Sequence, residues 1–349
     1  KQKKNMENVQ IPKPNINIQS NKKTVWKNAY IILERLKRSK KWKDFNQQEQ
    51  KFLLRECEKT KSFDYSRCTD YSDQISVIVK NTWPYIFEEK LRPNLPELIY
   101  LTQEEIVTDC LIDLLEEDNI ISQCLFDEQF RNRILDNFRG NVAAWDEKEQ
   151  KGTHFFWHKH PEKNQSLRMY IEGDKLVPTD KRFKNHSIAL NKEVIIKALK
   201  KREIYPNLFT IFGVLNFYFG TKPTCGYGGL NYLDLMKQAW KKTLLESDMK
   251  KELALVEQVQ ITGLTAGLAI FFKKFDKDIK TLYAYDIFYE DGMSEEYFKK
   301  IFSMPYGDIL SVGAADVYDY FSQKYIPKKE HIKPTINFDD LARSVFKWV

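Results

Sequence analysis

The sequence predicts a helix-dominated α+β protein: an N-terminal helical region, then a small, mainly antiparallel sheet packed with further helices. Three observations carry this expectation. Apolar residues at helical spacing dominate to about residue 138, whereas hairpin-like patterns appear only later, near 153–178 and 267–290. No repeat of 20–50 residues and no regular strand–helix–strand alternation runs through the chain, which argues against α/β or solenoid organisation.

Residues 1–23 are rich in Lys, Asn, Gln and Pro without apolar periodicity and read as a basic, mobile arm. Trp26, Tyr30, Leu33 and Leu36 then form a helical stripe, and a second helix follows Asn46. Thr102 and Glu105 make a capping box for a helix reaching about Asp118; another spans about 122–138 and stops at Gly140. "THFFWHKH" and "SLRMYIEGDKLV", flanking "PEKNQ", suggest the first hairpin.

Asn191 caps "KEVIIKALKKR", and 207–219, apolar on all sides, reads as a central buried helix. Leu230, Leu233, Met236, Trp240 and Leu244 place a helix starting near 229 or 230. "GLAIFFKK" and "KTLYAYDIFYE" suggest the second hairpin, Ser294 caps "EEYFKKIF", and "GDILSVGAADVYDYFSQKY" reads as a last long helix. The organisation expected is a basic arm over 1–23, a helical region over 24–140 and an α+β region over 141–349, the last two packed as one globular body.

Composition limits the classes of function. With 349 residues, 42% of them apolar and 14% aromatic, the chain can bury a sizeable core. Cys57, Cys68, Cys110, Cys124 and Cys225 are odd in number and lack a Cys-x-x-Cys pair, against a disulfide framework or zinc ribbon; Cys110 and Cys124 read as buried, inert thiols. The N-terminal stretch lacks the apolar core of a signal peptide, and the longest apolar runs fall short of a membrane span, so a soluble, cytoplasmic protein is expected.

The net charge of +7 is unevenly spread. Residues 1–43 hold 13 Lys/Arg against 2 Asp/Glu, so the remaining 306 residues carry 43 against 47. A nucleic-acid partner would therefore act through residues 1–43. Residues 88–150 hold 6 basic and 16 acidic side chains, and 151–205 hold 13 and 6. The basic segment either attracts an anion or faces its acidic neighbour.

Three constellations carry candidate chemistry. His154, His158 and His160 would share one strand face: His154, between Thr153 and Phe155, is a proton-transfer candidate, and His158 and His160 are the metal-ligand candidates, with His186 as a further ligand. The competing reading is an exposed hairpin tip. Asp286 falls in the apolar row of an expected strand, where a carboxylate is either salt-bridged or catalytic. Asp316 and Asp319 form a weaker acidic pair on the expected last helix.

The third constellation is "TKPTCGYGGLNYLDLMKQAW", over 221–240. Gly226, Gly228 and Gly229 lack β-carbons, and the amides of 228–231, ending at Asn231, would form a positive helix start that a phosphate or carboxylate can approach. Lys222 adds charge, Tyr227 lies within the turn, and Cys225 is a candidate nucleophile because a helix N-terminus stabilises a thiolate. GxxxxGK[ST] and GxGxxG are absent, and the preceding segment reads as helical; the competing reading is a tight turn that needs positive φ.

The function expected is an enzyme or binding protein for an anionic small molecule, with the reaction and any cofactor unspecified. The alternatives are a nucleic-acid-associated or interaction scaffold and a histidine-centred metalloenzyme.

Overall fold

The computed structural model describes residues 25–68, 71–160, 166–261, 264–265, 271–275, 278–312, 327–332 and 338–348. It is 59% helical and 12% strand, a helix-dominated α+β architecture.

Polar side chains set most helix starts. After α1 (Val25–Arg38), α2 (Gln47–Lys61) opens on a full capping box: Asn46 Oδ1 accepts from the Gln48 and Glu49 amides at 2.8 and 2.9 Å, and the Glu49 carboxylate accepts from the Asn46 amide at 2.7 Å. Next come α3 (Tyr71–Thr82) and α4 (Gln103–Leu114), whose first turn is capped by Thr102. The single helix expected over 122–138 is two, α5 (Ile120–Phe126) and α6 (Glu128–Asn137). Asp127, extended at ψ 110°, accepts from the Phe130 amide at 2.8 Å and thereby ends one helix and starts the other.

A short ladder of β1 (Trp145–Asp146) and β2 (Lys151–Gly152) leads into a five-stranded antiparallel sheet. Its strands are β3 (Phe156–Lys159), β4 (Ser166–Glu172), β5 (Lys175–Pro178), β6 (Ile188–Ala189) and β7 (Ile204–Pro206), in the order β6-β5-β4-β3-β7. The first expected hairpin is β3–β4, with Trp157 opposite Arg168. α7 (Lys192–Lys200), capped by Asn191, precedes β7.

The apolar 207–219 segment is the expected central element, but only α8 (Leu208–Phe212) is α-helical; Gly213–Tyr218 widens into a π-helix, and the Phe219 amide reaches the Val214 carbonyl five residues back at 3.0 Å. β8 (Thr224–Cys225) leads into α9 (Tyr227–Glu246) and then α10 (Lys250–Gln258), and β9 (Leu264–Thr265) pairs with β8 in parallel. Leu233, Met236, Trp240 and Leu244 are buried on α9 as their spacing requires. Trp240 stacks on Phe209 at 5.7 Å, and Phe138 meets Phe209 edge-on at 4.7 Å, in the middle of a core running from Val107 to Val259.

The second expected hairpin is β10 (Phe272–Phe275) and β11 (Asp278–Thr281), but the strand expected to continue through residue 290 turns into α11 (Ala284–Tyr289). Apolar alternation over so few residues does not separate strand from helix, and the Asp286 carboxylate, which accepts from the Tyr283 amide at 3.0 Å, favours the helical turn. α12 (Glu295–Ser303) follows, capped by Ser294. Residues 306–312 are helical, and the rest of the expected last long helix lies outside the described residues. α13 (Phe338–Val345) packs on β11.

Long-range packing sorts the elements into two sets. Phe52 meets Tyr289 edge-on at 5.3 Å, Phe87 stacks on Phe298 at 4.9 Å, and the Glu88 and Met293 amides donate to the Met293 and Ile86 carbonyls at 3.0 and 2.9 Å. The first helices are thus joined to segments about two hundred positions later. Among the described residues, every extensively packed pair of elements falls either within 102–265 or among the elements before and after it.

The charged segments also meet. Lys192 lies 3.6 Å from the Glu116 carboxylate and Arg202 lies 3.4 Å from that of Glu105, so part of the basic excess over 151–205 faces the acidic 88–150 segment. Among the described residues, no helix is long and apolar enough to cross a membrane.

Candidate functional site

The start of α9 is a strand-to-helix junction, not the helix-to-helix turn expected. The chain leaves β8 through Gly226, at φ −69° and ψ 175°, and enters α9 at Tyr227. That conformation is open to any residue, so positive φ does not explain Gly226. As the N-cap it brings no side-chain oxygen to the first turn, and the turn contains no acidic side chain.

Because α9 begins two to three residues earlier than expected, its orphan amides move. Helical geometry directs the Leu230 and Asn231 amides to the carbonyls of residues 226 and 227. The Gly229 amide donates to the Gly226 carbonyl at 2.8 Å, and Gly229 is buried. Helical geometry gives the Tyr227 and Gly228 amides no acceptor within the helix, and they stand at the positive end of a 20-residue helix. Lys222 is exposed four residues before the cap. Cys225 pairs through its backbone with Thr265; its side chain lies outside the described atoms.

His154 occupies a different environment. Gly152, at φ +65°, lets β2 press on β1, since a β-carbon there would stand 1.9 Å from the Ala144 carbonyl oxygen. His154 follows, buried, with the Trp145 and Tyr170 rings 5.1 and 4.7 Å away. Its Nδ1 accepts from the Ile171 amide at 3.0 Å, so Nε2 carries the proton and donates to Glu147 Oε1 at 3.1 Å.

Burial pulls the His154 pKa down to about 4 against the pull of Glu147. Burial alone would raise Glu147, but its own backbone amide, His154 and Arg139 outweigh that and hold it below the usual carboxylate range. With both nitrogens committed, His154 is a fixed neutral donor, and abstracting a proton would require breaking one of these bonds.

His154 does not share a face with the other two histidines. Phe155 has a positive φ of 54°, which breaks the alternation before β3 begins at Phe156. His158 and His160 are 7% exposed, so the exposed-tip reading is corrected: the strand turns both toward the protein. His158 Nδ1 donates to the Lys159 carbonyl at 2.6 Å and its ring lies 5.4 Å from that of His186; the His160 ring lies 4.5 Å from Phe183. Among the described residues, no group of three His, Cys, Asp or Glu side chains could hold a metal ion.

Asp286 sits on a helix, where its carboxylate accepts from the Tyr283 amide and α11 packs on the Trp83–Ile86 turn. Asp316 and Asp319 lie outside the described residues. The glycine turn, His154 and Asp286 thus occupy three settings: the head of α9, the β1–β4 corner, and the apolar cluster of Leu282, Ile287 and Met293.

Glu147 and Arg139 escaped the sequence reading because nothing in "FRGNVAAWDEKEQKG" separates them from other charged loop residues. Comparison of the chain with models of known protein families, with curated proteins and with solved structures gives no match in any of the three.

Proposed function

We propose that this chain binds a phosphate- or carboxylate-bearing small molecule at the start of α9. The junction itself supports this reading: a strand paired in parallel, one extended glycine, and a long helix with neither a capping side chain nor an acidic residue in its first turn. The Tyr227 and Gly228 amides would hold the anion and Lys222 would add charge, with Gly226 and Gly229 shaping the approach and Asn231 one helical turn along. The reading is of binding. His154 and Asp286 lie in other settings and are not part of it.

Two amides and the helix dipole are worth a few kcal/mol together, which corresponds to inorganic phosphate binding at about 1 mM. Amide NMR of the full chain titrated with phosphate should show saturable shifts at Tyr227 and Gly228, and Lys222→Ala should weaken binding about 2- to 5-fold, the value of one exposed charge at a helix N-terminus. Amides unmoved at ten times that phosphate concentration would end this reading.

A second reading draws on Arg35, Arg38, Lys40, Lys41 and Lys43, all exposed around the end of α1. They would give salt-dependent, sequence-indifferent nucleic-acid binding. Deleting residues 1–43 does not test it cleanly, because α1 packs on α2 and α3 and buries Leu33. Neutralising the five cations in place does; an oligonucleotide bound equally well by that variant would exclude them.

A further inference from the structure

We propose that His158 and His186 form a two-nitrogen site for a divalent transition-metal ion of the zinc class, independent of the anion-binding turn. Two imidazoles on one tetrahedral ion, with metal–nitrogen distances of about 2.1 Å, place their ring centres about 5 Å apart. The observed separation is 5.4 Å at an interplanar angle of 65°, close to the spacing that two imidazoles sharing one ion require.

The surroundings of His158 fit a ligand. A carbonyl oxygen can only accept, so the 2.6 Å contact between Nδ1 and the Lys159 carbonyl fixes the proton on Nδ1 and leaves Nε2 with its lone pair. This is how metal-bound histidines are usually oriented, with the second nitrogen anchored to a backbone carbonyl or carboxylate.

His158 is held by β3, and His186 ends the 3-10 turn Lys181–His186, where it is half-buried and open to an arriving ion. The other coordination positions belong to water, since no third His, Cys, Asp or Glu is placed to join among the described residues. A bound ion would staple the 3-10 turn to β3.

Titration calorimetry with Zn²⁺ on the full chain, purified without a histidine tag, tests the site. One ion should bind per chain, and His186→Ala, a half-buried position, should weaken binding by about tenfold, or 1.4 kcal/mol. Imidazole ¹⁵N NMR should show Zn²⁺ moving His158 Nε2 while Nδ1 stays protonated. No saturable binding, binding unchanged in His186→Ala, or a response at His154 or His160 in place of His158 would each overturn the proposal.

Discussion

Protonating His154 means losing the hydrogen bond from the Ile171 amide and charging a ring wedged between Trp145 and Tyr170. Its pKa is about 4 in the folded chain against 6.5 for a free imidazole, so between those values the unfolded chain binds a proton that the folded chain refuses. Stability therefore falls as pH falls through that window and is insensitive to this group above it. The loss is about 2 kcal/mol by pH 5. Urea denaturation at pH 7 and pH 5 should show it, and His154→Gln should shrink the difference; an unchanged pH dependence in the variant would refute the assignment. "THFFWHKH" marks His154 as a proton-transfer candidate, but its tautomer depends on an amide seventeen residues away. No local pattern encodes that.

At the scale of the element, helix starts were the most legible features. Thr102, Asn191 and Ser294 cap the helices they were expected to cap, and Asn46 caps the helix expected to follow it, because a cap acts through residues two or three positions away. Less legible was any feature that depends on a distant partner: the parallel β8–β9 pairing that makes the candidate site a strand-to-helix junction, or the π-helix within an apolar run.

The π-helix also carries a prediction. Gly213, at φ −54° and ψ −49°, lines a cavity of about 20 Å³ together with Phe155, Phe209 and Trp240. A β-carbon there would stand 3.7 Å from Trp240 Cζ2, an ordinary contact. Gly213→Ala should raise stability by about 0.5–1 kcal/mol in chemical denaturation, since it removes backbone freedom from the unfolded chain. A lower midpoint would mean that the π turn cannot accept a side chain.

At the scale of the whole molecule, 102–265 has its own apolar core, whereas Phe52, Tyr85 and Phe87 find their ring partners at Tyr289, Phe288 and Phe298. A fragment spanning 102–265 should unfold cooperatively by itself, with native-like near-ultraviolet dichroism from Trp145 and Trp240. A fragment of 25–95 should not. The reverse outcome would show that the early helices stand without their later partners and that the sheet body does not stand alone. Helical periodicity identified the helices of 25–95 but not their partners, because pairing over so long a separation leaves no trace in local spacing.

This arrangement matters during synthesis. A ribosome adding about 5–20 residues per second needs roughly 10–40 s to cover the two hundred positions between Phe87 and Phe298. Throughout that interval the first helices have emerged with Phe52 and Phe87 still bare, while the sheet body can already close behind them. The segment holding Phe52 and Phe87 is therefore open to chaperones and to premature association until the segment holding Tyr289 and Phe298 has been made.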